Sequence, residues 1–227
     1  MIRHIKGVLT RAEVSDLHAR LAGAPWTDGA ATAGPQSARA KRNLQLPEDA
    51  PAAREAGAAV LAALGRCDAF ISAALPLRVI PPLFNRYGAG MEFTDHIDNA
   101  VRFSAVTGAR YRTDVSCTLF LSDADAYEGG ELLVAGALPG TGIKLPAGDL
   151  ILYPSTTVHR VTAVTRGERW ASVFWVQSMV AEAAKRDLLA DLDQDIAAVR
   201  AQLGDENATS VSLTGAYHNL VRMWASL

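Results

Sequence analysis

Cysteine is scarce in this 227-residue chain: only Cys67 and Cys117 occur, far apart and in no paired metal-binding spacing. That argues against a disulfide framework or a cysteine-held metal, and makes a reducing, cytoplasmic setting the expectation. An excess of charge is missing as well. The 22 Lys and Arg against 24 Asp and Glu leave a formal net charge of −2, which draws the chain neither to nucleic acid nor to an anionic membrane. No interleaved basic and aromatic residues form a nucleic-acid platform. Long apolar runs are also lacking: the most apolar stretch, residues 56–65, is about half of the ~20 residues a membrane helix needs. Arg3, His4 and Lys6 interrupt the first residues, so no signal-like apolar stretch is expected there. What is present, 49% hydrophobic against 20% charged residues, fits one globular domain with a sizeable core.

Three zones follow along the chain. Thr10 and Glu13 have capping-box spacing, and Val14, Leu17 and Leu21 continue it as a helix over about 11–22. Residues 27–40 are rich in Gly, Ala, Thr and Ser and carry neither period, which predicts a surface loop and a candidate lid. Helices are expected over about 50–64 and on to about 74, before Pro76, Pro81 and Pro82. From Leu83 to Gln177 the chain changes to short runs rich in β-branched and aromatic residues: 83–87, 115–121, 131–135, 142–145, 149–153, 158–165 and 169–176. These predict an antiparallel sandwich or jelly roll, with hairpin turns at 145–149 and 165–168. After Ser178 a stripe of Leu188 or Leu189, Leu192, Ile196, Val199 and Leu203, and a second of Leu213, Tyr217, Leu220 and Trp224, predict a helical hairpin. Its apolar faces must bury on the sandwich or in a homodimer.

Within the β-rich zone lies a set of residues with metal chemistry. His96 and Asp98 are two apart, which on an extended strand places both on one face. His159, on the late strands, supplies a third ligand. Two imidazoles and one carboxylate make the facial triad of non-haem iron(II) oxygenases, with three positions left for cosubstrate and dioxygen. Arg169 follows after the turn at Arg166 and Gly167, where a guanidinium fork suits the distal carboxylate of a 2-oxo diacid. Tyr87 adds a phenolic donor for the same acid. Asn85 shares its strand face.

The segments Tyr87-Gly-Ala-Gly90-Met-Glu-Phe-Thr-Asp-His96-Ile-Asp98, Thr118-Leu-Phe-Leu-Ser122 with Glu128-Gly-Gly-Glu131-Leu, and Gly148 through His159 to Arg169 closely resemble the PKHD-type hydroxylases, bacterial relatives of prolyl 4-hydroxylase catalytic domains. The resemblance spans most of the chain. It implies a double-stranded β-helix with N-terminal helices over residues 1–76, a jelly-roll core over about 78–178, and a C-terminal helical extension over 179–227. It also implies iron(II) on His96, Asp98 and His159, 2-oxoglutarate on Arg169, dioxygen as oxidant and L-ascorbate dependence. Decarboxylation to succinate and carbon dioxide would accompany hydroxylation of a small-molecule or peptide substrate. Related halogenases lack the carboxylate that Asp98 provides, so the resemblance points to hydroxylation.

Other residues read more plainly. His4, His18 and His218 lack ligand-type neighbours, and Cys67 and Cys117 read as small packing residues. Arg102 reads either as a substrate-mouth cation or as a solvent-facing side chain, and Trp175, on the parity of Arg169 and Val173, as cavity wall or core. Two competing functions remain: a cupin-like metal-binding or sensing protein without oxygenase activity, against which the Arg169 and Tyr87 pair argues, and a dioxygenase that does not use 2-oxoglutarate.

Overall fold

The computed structural model describes residues 2–32, 40–104, 107–137 and 142–227. The chain opens with β1 (Arg3–Ile5) and α1 (Arg11–Ala22), then β2 (Thr27–Asp28), a 3-10 turn (Gly29–Thr32), β3 (Lys41–Arg42) and β4 (Leu44–Gln45). Helices α2 (Pro51–Gly65) and α3 (Asp68–Ala74) precede β5 (Pro76–Val79), β6 (Leu83–Tyr87), β7 (Glu92–His96), β8 (Val101–Phe103) and β9 (Arg110–Arg112). There follow β10 (Val115–Phe120), β11 (Tyr127–Gly129), β12 (Leu132–Val134), β13 (Leu150–Pro154), β14 (His159–Val161), β15 (Val164–Gly167) and β16 (Arg169–Ser178). Helices α4 (Ala183–Leu203) and α5 (Ala208–Trp224) end the chain.

The outcome is a mixed α/β fold of antiparallel sheets with flanking helices. A large sheet runs in the order β1-β13-β10-β16-β6-β4-β2, with β5 also on β16, and a smaller one in the order β12-β14-β7-β3. Period-two alternation divides the large sheet's residues. Phe84, Cys117, Leu119, Trp170 and Phe174 turn to a core completed by Leu17 and Leu21 of α1, Val60 and Leu64 of α2 and Phe70 of α3. Asn85, Tyr87, Thr118, Arg169 and Trp175 line a cavity that the smaller sheet closes with Phe93, His96, His159 and Val161. The capping box of α1 forms as its spacing predicts, with the Glu13 amide donating to the Thr10 hydroxyl and the Thr10 amide donating to the Glu13 carboxylate. No single helix among the described residues is long and apolar enough to cross a membrane.

Several local expectations change. The expected loop over 27–40 begins as a paired strand, Thr27 opposite Gln45 and Asp28 opposite Leu44, followed by the 3-10 turn; residues 33–39 lie outside those described. The N-terminal 76 residues contribute edge strands as well as helices, because two- and three-residue strands carry no readable period. Residues 142–145 give only an isolated bridge, Ile143 to Leu132. The expected strand 158–165 splits into β14, which pairs with β12 and β7, and β15, which pairs with β11. The turn at 165–168 is therefore no hairpin: β15 and β16 belong to different sheets. Gly167, at φ +74°, carries the chain across, and a Cβ there would stand 2.3 Å from the Ala126 carbonyl oxygen. The turn at 145–149 likewise joins no strand pair, although the Asp149 amide closes it on the Pro146 carbonyl.

Candidate metal centre

His96 is the last residue of β7, and His159, the first of β14, is its direct register partner. Backbone pairing thus brings residues 63 positions apart in the chain to one spot, with ring centroids 4.1 Å apart. Asp98 lies just past the end of β7, so strand parity does not place it as the spacing predicted. A hydrogen bond from the Ser116 hydroxyl to Asp98 Oδ2 (2.5 Å) orients it instead, and Ser116 is tied to Ser155 at 2.8 Å. One ligand atom from each of His96, Asp98 and His159 falls within 4.8 Å of the other two.

Both imidazoles are set up in the same way. His96 Nδ1 donates to the Thr94 carbonyl at 2.8 Å, and His159 Nδ1 donates to the Thr157 carbonyl at 3.0 Å. A carbonyl can only accept, so each Nδ1 carries the proton and each Nε2 presents a lone pair. The Nε2 atom of His159 lies 3.7 Å from Asp98 Oδ2. Burial, and then the neighbouring His159, push His96 down to about 4, which keeps it neutral and able to ligate at pH 7. The Phe93 ring stacks on the His96 imidazole, centroids 3.5 Å apart, and fixes its plane. Soft thiolates are absent from this donor set, which suits iron(II).

The cavity around these residues measures about 850 Å³ with its open mouth included. Arg169 lies in the same cavity but not on a strand neighbouring His159, as the expected hairpin would have had it. It is instead the register partner of Tyr87 on β6. Its guanidinium is 1% exposed and lies 5.4 Å from the Tyr87 ring centroid and 5.3 Å from that of Phe120. Its Nε and Nη2 are buried with no hydrogen-bond partner. A buried cation left this way is costly unless an anion completes it; the distal carboxylate of 2-oxoglutarate fits. Burial raises the Tyr87 phenol, so it remains a donor at neutral pH.

Asn85, Arg102 and Trp175 also line the cavity. Asn85 leaves its Oδ1 unpartnered. Arg102, on β8 and half-buried, lays its guanidinium over the Trp175 ring at 4.0 Å in the cavity wall. Sequence reasoning missed Ser116, Lys41 and Gln45. Ser116 and Thr118 had a signal, polar alternation on a fully buried strand; Lys41 and Gln45, on two-residue strands, had none. The plain histidines stay outside the centre: His4 bonds Asp149 at 2.7 Å, His18 bonds the Leu121 carbonyl at 2.6 Å, and His218 lies beside Tyr217. Cys117 is 2% exposed, and burial raises its thiol well above the ordinary value, as suits a packing residue.

Residues 82–177 match the 2OG-Fe(II) oxygenase superfamily, and residues 184–226 match the PKHD-type hydroxylase C-terminal domain. A PKHD-type hydroxylase of Methylobacterium nodulans is 55% identical over all of both chains. Among solved structures, HygX from Streptomyces hygroscopicus with nickel and 2-oxoglutarate bound is 16% identical, with a TM-score of 0.54 over 80% of this chain and 84% of that one. A prolyl hydroxylase from Trichoplax adhaerens in complex with a hypoxia inducible factor peptide fragment is also 16% identical, with a TM-score of 0.53 over 78% of this chain and 83% of that one. Both structural likenesses concern the fold.

Proposed function

Because the chain belongs to the PKHD-type hydroxylases of the 2OG-Fe(II) oxygenase superfamily, we propose that it hydroxylates a C–H bond of its substrate with conversion of 2-oxoglutarate to succinate and carbon dioxide. The proposal includes a double-stranded β-helix as the architecture of the two facing sheets, dioxygen as oxidant and ascorbate as the reductant that keeps the iron ferrous. The carrying observation is the buried Arg169 guanidinium, with Nε and Nη2 unpartnered, in one cavity with His96, Asp98 and His159.

When bound, iron(II) and 2-oxoglutarate supply the oxidising chemistry. The chain supplies the rest. Nε2 of His96, Nε2 of His159 and the Asp98 carboxylate would hold the metal on one face, and Ser116 would keep the Asp98 carboxylate turned toward it. Arg169 and the Tyr87 hydroxyl would hold the distal carboxylate of the cosubstrate by charge-assisted hydrogen bonds. Phe93, Leu132 and Val161 in the wall exclude water from the reacting region.

The test is anaerobic addition of iron(II) and 2-oxoglutarate, expected to give a visible charge-transfer band, and succinate release on admitting air. Arg169→Ala should weaken 2-oxoglutarate binding by about 100-fold, since a buried charge partner is lost. Iron binding without the band or succinate would favour the metal-binding protein instead. Turnover that survives Arg169→Ala would favour a dioxygenase independent of 2-oxoglutarate. We also propose a homodimer through α4 and α5, on which Leu188, Leu203 and Val211 stand more than half exposed; a monomer in sedimentation would end that proposal.

A further inference from the structure

Besides Arg169, the cavity holds further donors that lack acceptors. Gln45 is fully buried: its Oε1 accepts from Lys41 Nζ at 2.6 Å, while its Nε2 has no partner. Trp175 is 7% exposed and its indole Nε1–H has no acceptor. Arg102 reaches inward from β8 onto the Trp175 ring, while its strand neighbours Val101 and Phe103 are exposed. No hydrogen bond or ion pair closes on its guanidinium among the described residues. Glu48, outside the cavity lining, and Asp98, within it, act on the guanidinium only at a distance.

Charge points the same way. The cavity is lined by three cations, Lys41, Arg102 and Arg169, against one carboxylate, Asp98. Iron(II) and the 2-oxoglutarate dianion add equal and opposite charge, so loading the site leaves that excess in place. A substrate that is neutral where it meets Arg102 would leave a desolvated guanidinium and two buried N–H groups unsatisfied.

We propose that the primary substrate is a carboxylic acid whose carboxylate pairs with Arg102, the specificity-determining residue, with the Trp175 indole N–H donating beside it and the Gln45 amide donating within the same cavity. The inference rests on the cosubstrate reading above, which leaves the Arg102 side of the cavity to the substrate. A planar guanidinium fork backed by a flat indole suits a planar two-oxygen acceptor.

The test uses anaerobic protein loaded with iron(II) and 2-oxoglutarate. Small aliphatic and aromatic carboxylic acids, each with its matched primary amide and phosphonate, are titrated and followed by calorimetry and tryptophan fluorescence. At least one acid should bind about tenfold or more tightly than its amide, as loss of a charge-assisted pair implies. Arg102→Gln should bring acid and amide within twofold, Arg102→Lys should retain part of the preference, and Arg110→Gln, on the exposed partner strand of the same ribbon, should retain all of it. If Arg102→Gln does not fold, Trp175→Phe serves instead and should reduce the preference. Equal binding in every acid–amide pair, a preference that survives both the Arg102 and Trp175 substitutions, or tighter binding of phosphonates would each overturn the proposal. The charge-transfer band recorded on the same samples separates the failures: its absence defeats the cosubstrate reading, while its presence without an acid preference defeats only the carboxylate assignment.

Discussion

Ser116 holds the Asp98 carboxylate by a single short hydrogen bond, and nothing else in the sequence-derived set explains why that side chain faces the two histidines. Ser116→Ala should therefore weaken iron(II) binding by about 10–100-fold, the usual cost of losing a group that orients a metal ligand; anaerobic calorimetry would measure it, and an unchanged affinity would dismiss Ser116 as the orienting group. Lys41 carries a different signature. Burial, then the nearby Arg102, lower it to about 8, so between about pH 8 and 10.5 the folded chain binds fewer protons than the unfolded one. Folding stability should rise across that window, by about 3 kcal/mol in total, and urea midpoints of Lys41→Met should lack that component. His96, Asp98, His159, Arg169 and Tyr87 were legible by side-chain chemistry and by their order in the β-rich zone, although the spacing misjudged how Asp98 and Arg169 are brought in. Lys41 and Gln45 were not, because a lysine and a glutamine in the polar run Lys41-Arg-Asn-Leu-Gln45 look like surface.

The central strands β6, β10, β13 and β16 were legible as runs of β-branched and aromatic residues, since each is buried along most of its length. What the pattern could not reveal was pairing. The interval between His159 and Arg169 reads as a hairpin, yet its two ends join different sheets, because a glycine turn announces a change of direction without saying which strand lies alongside next. Gly167 makes this crossing at positive φ with the Ala126 carbonyl against its α-carbon. Gly167→Ala should therefore cost about 2 kcal/mol or more, read as a lowered urea midpoint; a loss below about 0.5 kcal/mol, typical of neutral surface sites, would mean that the crossing tolerates a side chain.

Across the whole molecule the helical pair α4–α5 is tied to the rest by more than its linker. Leu189 is buried with Leu75 and Val180, against Tyr217, Leu220 and Trp224. Arg186 donates to the carbonyls of Val180 and Ala181 and, across the chain, to that of Asp114. Arg3 of β1 reaches Asp191 at 2.8 Å. A chain ending at Ser178 should therefore lose about 1.5–3 kcal/mol from Leu75 left uncovered, seen as a lower melting temperature and new binding of a hydrophobic dye. An unchanged melting temperature would make residues 179–227 an independent appendage. The apolar stripes foretold this pair of helices; where they bury depended on Leu75 and Asp114, remote in sequence and unmarked by any period.

The backbone carbonyls that fix the two imidazoles make the metal site unevenly tolerant of mutation. Thr94 and Thr157 contribute main-chain oxygens, which every amino acid possesses, so drift at either position leaves the histidine tautomers untouched so long as the strand end keeps its path. Asp98 depends on a hydroxyl that few residue types can supply. Random variation should thus erode the site through its carboxylate arm well before its imidazole arms, and an engineer moving this triad to another sheet would need to carry Ser116 along but could leave both threonines behind.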